Sequence, residues 1–128
     1  MLVETTFHLV ATGRMADVSA WTRHIGIIPS GCAQRGERVG TAPSPDSWWA
    51  LVLDKREAAG VEDPLRELLE QLLPFKREIA ALALAEDLEV TATSYIWEHE
   101  ESLVADLSAA VMGNLHELGC SYSVVAYD

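Results

Sequence analysis

Hydrophobic and polar residues alternate from the first position onward. In Leu2–Thr12, Val3, Thr5, Phe7, Leu9 and Ala11 fall on one side and Glu4, Thr6 and His8 on the other, a period of two that predicts a half-buried strand ended by Gly13. The period then lengthens. Asp17 stands where a helix N-cap belongs, and Val18, Trp21 and Ile25 form a stripe at helical spacing. Gly26 suits the left-handed residue that closes such a helix, and Pro29 prevents its continuation. Ser47–Asp54 is apolar at successive positions, as in a central strand. A polar connection, Glu57–Glu62 with Gly60, leads to a helix expected to start with Asp63 as cap and Pro64 at its first position. Leu65, Leu68, Leu69, Leu72 and Leu73 are its stripe, and Pro74 breaks it before a second helix over Phe75–Ala85 that turns Phe75, Ile79 and Leu82 inward.

Alternation returns in Leu88–Trp97, where Leu88, Val90, Ala92, Ser94 and Ile96 oppose Glu89, Thr91, Thr93, Tyr95 and Trp97, with the β-branched and aromatic content of a strand. A last helix is expected from a Ser102 cap, with Glu100 and Glu101 at its positive end and Leu103, Leu107, Val111, Leu115 and Leu118 inward, until Gly119 stops it. Cys120–Tyr127 closes the chain as a strand with Tyr122, Val124 and Ala126 on one face. The order β-α-β-α-α-β-α-β predicts an α+β fold: one domain over residues 1–128, with a four-stranded, mostly antiparallel sheet, helices on one face and a split β-α-β-like layout. Between the first helix and the second strand, residues 29–46 hold Gly31, Gly36, Gly40, Pro43 and Pro45 without periodicity and read as one long, flexible loop.

Several of these residues also carry a likeness. His24-Ile25-Gly26-Ile27-Ile28-Pro29-Ser30 follows a helix-end pattern "LGI-x-P-T/S", Arg35-Gly36-Glu37 a "kGe" loop, and Ser47-Trp48-Trp49 an "S-x-W" or "SW" strand opening. Together with Asp17-Val18, Leu72-Leu73-Pro74 and Leu118-Gly119, these motifs resemble the domain of unknown function 4279 family over nearly the whole chain. Ile25 stands where that family more often has Leu, and Arg35 where Lys is usual. The resemblance implies a small bacterial α+β domain without a settled activity. Families of this kind often resemble immunity proteins, which neutralise a toxin by binding it.

The chain has 128 residues, 49% hydrophobic and 23% charged, which excludes a disordered protein. Nine basic residues against twenty acidic ones give a net charge of −11. Residues 1–77 hold all nine basic and ten acidic residues and are close to neutral, whereas residues 78–128 hold ten acidic residues and no Lys or Arg. Such a balance opposes nucleic-acid binding and suits either solubility or docking to a basic partner. No apolar run nears the ~20 residues of a membrane span and the N-terminus lacks the marks of a signal peptide, so a cytoplasmic location without membrane contact is expected.

Candidate chemistry is sparse. His8, His24, His99 and His116 share no metal-ligand spacing, and Ser30, Ser44 and Ser47 lack a nucleophile-elbow setting. Cys32 and Cys120 are expected to be reduced; Cys32 has no assignable base. No catalytic residue, metal or cofactor is assigned. A protein-binding surface is expected from Glu98, Glu100 and Glu101 with Trp97, Tyr95 and Trp49, taking a basic protein such as a toxin. A small-ligand or enzymatic alternative would use Arg35, Gly36, Arg38 and Trp48, with the Gly-rich loop as a lid; a structural homodimer through an open sheet face is the third reading. Trp48 and Trp49 are adjacent on a strand and must point to opposite faces.

Overall fold

A computed structural model describes residues 1–100 and 105–127. Its elements are β1 (Leu2–Ala11), α1 (Val18–Ile25), β2 (Gly31–Ala33), β3 (Arg38–Val39), β4 (Ala42–Pro43), β5 (Ser47–Glu57), α2 (Glu62–Leu72), a 3₁₀ turn (Leu73–Phe75), α3 (Lys76–Glu86), β6 (Glu89–Trp97), α4 (Ala109–Glu117) and β7 (Ser121–Ala126). The main sheet has the order β2-β5-β1-β6-β7, antiparallel except for the parallel β6–β7 pair, and β3 and β4 form a separate small hairpin.

The sheet therefore has five strands rather than four. The extra one comes from the expected loop: Gly31, Cys32 and Ala33 pair with Ala50, Trp49 and Trp48 on β5. Ser30 leads β2 in, donating from its backbone N–H to the Ala50 carbonyl at 2.8 Å and accepting the Val52 N–H on its hydroxyl at 2.8 Å. Gly31 lets the Trp48 ring pack close to the backbone: a Cβ there would lie 3.3 Å from the ring, a tight contact. The split layout is present: β5 and β6 are joined through α2 and α3 and flank β1, to which both are antiparallel, whereas β6-α4-β7 is a contiguous parallel crossover.

One face of the sheet meets the helices. Phe7, Leu9 and Trp49, each fully buried, and Ala92 pack with Val18, Trp21 and Ile25 of α1, Leu65, Leu68, Leu69 and Leu72 of α2, Ile79 and Leu82 of α3, and Val111 and Leu115 of α4. Trp49 meets Phe7 edge-on at 6.3 Å, and its indole N–H donates to Thr22 Oγ1 at 3.1 Å, so it is anchored at both ends. Trp49 thus belongs to the core and is removed from the expected docking residues; Trp48 takes the opposite face.

Local chemistry explains the helix ends. Asp17 caps α1 by accepting the Ala20 N–H, and Gly26 closes it at φ +86°, a left-handed conformation that favours glycine. Pro74 converts the end of α2 into a 3₁₀ turn before α3 begins. Asp63 is not the α2 cap: the helix starts at Glu62 with Val61 at the N-cap position, and Asp63, inside the first turn, pairs with Arg66 at 3.1 Å. Ser108 caps α4 through the Val111 N–H, so the helix starts later than expected. Ser102, expected as that cap, and Leu103 lie outside the described residues, as does Glu101.

Candidate functional site

The face of the sheet opposite the helices is built by alternation plus one irregularity. Residues directly opposite one another share a face, so the register aligns Val10, Trp48 and Ala33, then His8, Ala50 and Gly31, then Thr6, Val52 and Thr93, then Glu4 and Tyr95, then Leu2, Glu57 and Trp97. Strict alternation from the buried Trp49 would send Lys55 to the helix side. Between Val3 and Thr5 the β1–β5 register slips, Thr5 facing Leu53 and Val3 facing Arg56. This bulge sends Arg56 to the helix side, where it pairs with Glu67 of α2, and leaves Lys55 on the open face.

Lys55 Nζ then sits 3.7 Å from the centre of the Trp97 ring. Beyond Trp97 stands Tyr127, 5.1 Å away and tilted by 12°, positioned by its backbone N–H donating to the Ile96 carbonyl at 2.8 Å. Tyr95 completes a group of three nearly parallel rings, 6.4 Å from each of the other two. Glu4 lies opposite Tyr95, and exposed Glu98 follows Trp97 at φ +56°. A second, smaller aromatic group lies toward the other end, where His8 and Trp48 meet at 6.3 Å; burial lowers the His8 pKa.

The expected docking residues divide accordingly. Tyr95 and Trp97 come together on the open face, Glu98 follows them just past the end of β6, and the Glu100 carbonyl is bonded to His99 Nδ1 at 2.8 Å. A second group of acidic residues, Glu86, Asp87 and Glu89, does not join them but stands at the opposite end of β6, about 26 Å away at strand rise. Tyr127 and Lys55 were not legible as site residues. Tyr127 had only its place at the end of an alternating strand to mark it, and Lys55 reaches the face through a bulge that no residue pattern announces.

The small-ligand candidates have other partners. Arg35 donates from Nη1 to the Gly13 carbonyl at 2.8 Å, and Arg38 from Nη1 to the Thr41 carbonyl at 2.9 Å. Around them the motif residues knit residues 29–46 to the body. Fully buried Ser47 accepts the Ala16 and Arg35 N–H groups, each at 3.0 Å, and donates to the Arg14 carbonyl at 2.7 Å. Glu37 Oε1 accepts the Gln34 N–H at 3.1 Å, Gly36 N–H donates to the Ser44 carbonyl at 2.8 Å, and Asp46 Oδ1 accepts the Gly13 N–H at 2.7 Å. The motif residues Ser30, Arg35, Gly36, Glu37 and Ser47 thus act as scaffold.

A cleft of about 230 Å³ is lined by Val10, Thr12, Arg14, Asp87, Leu88 and Glu89, below the usual size of a ligand pocket. Its Arg14 guanidinium already donates to the Glu86 and Asp87 carbonyls, each at 2.7 Å, neutralising the negative end of α3. Among the described residues, no three His, Cys, Asp or Glu side chains are grouped to hold a metal. Both cysteines are free, Cys32 exposed and Cys120 partly buried with its thiol pushed up to about 12 by desolvation. No described helix is long and apolar enough to cross a membrane.

Fold and face together define a small α+β domain: a mixed five-stranded sheet, helices against one side, an aromatic surface on the other. The chain belongs to the family of the domain of unknown function DUF4279, whose model matches residues 3–128. Comparison with curated proteins and with solved structures finds no match.

Proposed function

We propose that this chain is a non-catalytic protein-binding module of the immunity-protein type, holding a basic partner such as a toxin on the open face of its sheet. The observation that carries the reading is the Lys55 ammonium lying on the Trp97 face within the Tyr95–Trp97–Tyr127 group. The chain's own lysine supports this chemistry: an aromatic face holding a cation, with Glu4 opposite Tyr95. Such a contact is worth about 0.5–1 kcal/mol when exposed and about 2 kcal/mol or more when a partner excludes water. The ten acidic residues of positions 78–128, a stretch with no Lys or Arg of its own, add a field that draws basic proteins and repels acidic ones.

The test is calorimetric titration of the full chain with the product of the reading frame adjacent to its own gene. A 1:1 complex that weakens with salt and loses at least tenfold in affinity in Trp97→Ala, but not in Trp48→Ala, supports the reading. Absence of a complex at low and moderate salt overturns it.

A further inference from the structure

The aromatic group has a direction. In the strand order β5-β1-β6-β7, Lys55 and Tyr127 lie on opposite sides of Trp97, so cation, indole and phenol form a row running across the strands. The row stops at Tyr127, the last described residue, which is 42% exposed and sits just past the end of β7.

β7 is also an open edge. Among the described residues, no strand pairs with its outer side. Proteins usually shield such edges with charge, proline or bulges. Ser121-Tyr122-Ser123-Val124-Val125-Ala126 contains no charged residue, proline or glycine, and it spans six residues against three for the opposite edge strand, β2. An added strand would hydrogen-bond along β7 and place alternate side chains on the open face beside Ser121, Ser123, Val125 and Tyr127.

Resting on the binding-module reading above, we propose that the outer edge of β7 takes an extended segment of the basic partner, with a Lys or Arg side chain set against the free face of Tyr127. The row then reads cation, indole, phenol, cation. Charge selects this occupant over a second copy of the chain, which would bring −11 against −11.

The experiment is an NMR titration of the full ¹⁵N-labelled chain with a synthetic ten-residue peptide alternating Thr or Val with Lys or Arg. Controls are the same peptide N-methylated at alternate backbone nitrogens, which keeps its charge but blocks strand pairing, and an acidic counterpart. Expected are amide shifts concentrated in residues 121–127 and 95–97, at least tenfold weaker binding after N-methylation, several-fold weaker binding to Tyr127→Ala, and recovery in Tyr127→Phe. Equal binding of the methylated peptide, or shifts centred elsewhere, overturns edge docking while leaving the binding-module reading intact. Absence of shifts at millimolar peptide also overturns edge docking, and the titration with the neighbouring gene's product then decides the module reading separately.

Discussion

Replacing Ser47 with Ala removes a single oxygen that joins three segments. Its hydroxyl accepts from the backbone of Ala16 and Arg35 and donates to the carbonyl of Arg14, and the residue is fully buried. Alanine fits the same space, so the cost is the loss of three hydrogen bonds without a cavity. At about 0.5–1.5 kcal/mol for each bond, rising where a buried group stays unsatisfied, the expected loss is about 2–4 kcal/mol. For a chain of this length that is roughly 6–16 °C in Tm, and a large share of the 5–15 kcal/mol that holds a typical domain. Urea unfolding followed by circular dichroism and tryptophan fluorescence measures it, with an unchanged slope showing that the loss belongs to the native state. Ser44→Ala provides the comparison: its hydroxyl donates to the Asp46 carbonyl at 2.7 Å, and its loss should cost about 1 kcal/mol. A Ser47→Ala loss below about 1 kcal/mol, or no larger than that of Ser44→Ala, refutes the scaffold role assigned to this motif.

Three other outcomes follow from burial and titration. Trp49→Ala should cost about 3–5 kcal/mol in urea unfolding and Trp48→Ala clearly less, because the first ring is fully buried and the second half-exposed; the reverse order would put the wrong tryptophan in the core. Burial lowers the His8 pKa, so the unfolded chain binds more protons as pH falls through about 6.5; stability should decline below that pH, and the decline between pH 7.5 and 5.5 should flatten in His8→Gln. In native protein at pH 8, iodoacetamide should label exposed Cys32 and spare Cys120 until urea is added, as mass spectrometry would read; early labelling of Cys120 contradicts its raised pKa.

What the residues disclose depends on whether a feature is written in side chains or in backbone bonds. β1 and β6 are legible because alternation sorts Phe7 and Leu9 from His8, and Ala92 and Ile96 from Tyr95 and Trp97, onto opposite faces. The limits of α1 are legible because Asp17 and Gly26 have the chemistry of its ends. β2 is not, since Gly-Cys-Ala has no face to pattern and is held by backbone bonds to β5. Position parity could not assign Trp48 and Trp49 on a strand apolar at both, and it could not place Lys55, because a bulge shifts parity within β5. Ser30 and Ser47 show in the sequence only as short motif residues. Their role appears only when the strands they tie are adjacent.

The charge asymmetry gains a different meaning from this geometry. Among the described residues, the carboxylates of residues 78–128 do not form one patch: Glu86, Asp87 and Glu89 stand at one end of β6, Glu98 and Glu100 at the other, and Ser121–Ala126 of β7 carries no charge. A strand added at that edge would form its hydrogen bonds without stripping water from any β7 carboxylate, the step that makes buried charge costly. Attraction at a distance and pairing at contact are then separate functions of separate residues. They also respond to salt in opposite ways. Screening beyond about 8 Å at 0.15 M weakens attraction for a basic strand, but it relieves the repulsion between two copies that meet at the same edge. Raising sodium chloride from 0.05 to 0.5 M should therefore weaken peptide binding at residues 121–127 and promote self-association, seen by light scattering at high protein concentration. Peptide affinity that rises with salt would show that the carboxylates do not draw the strand to this edge.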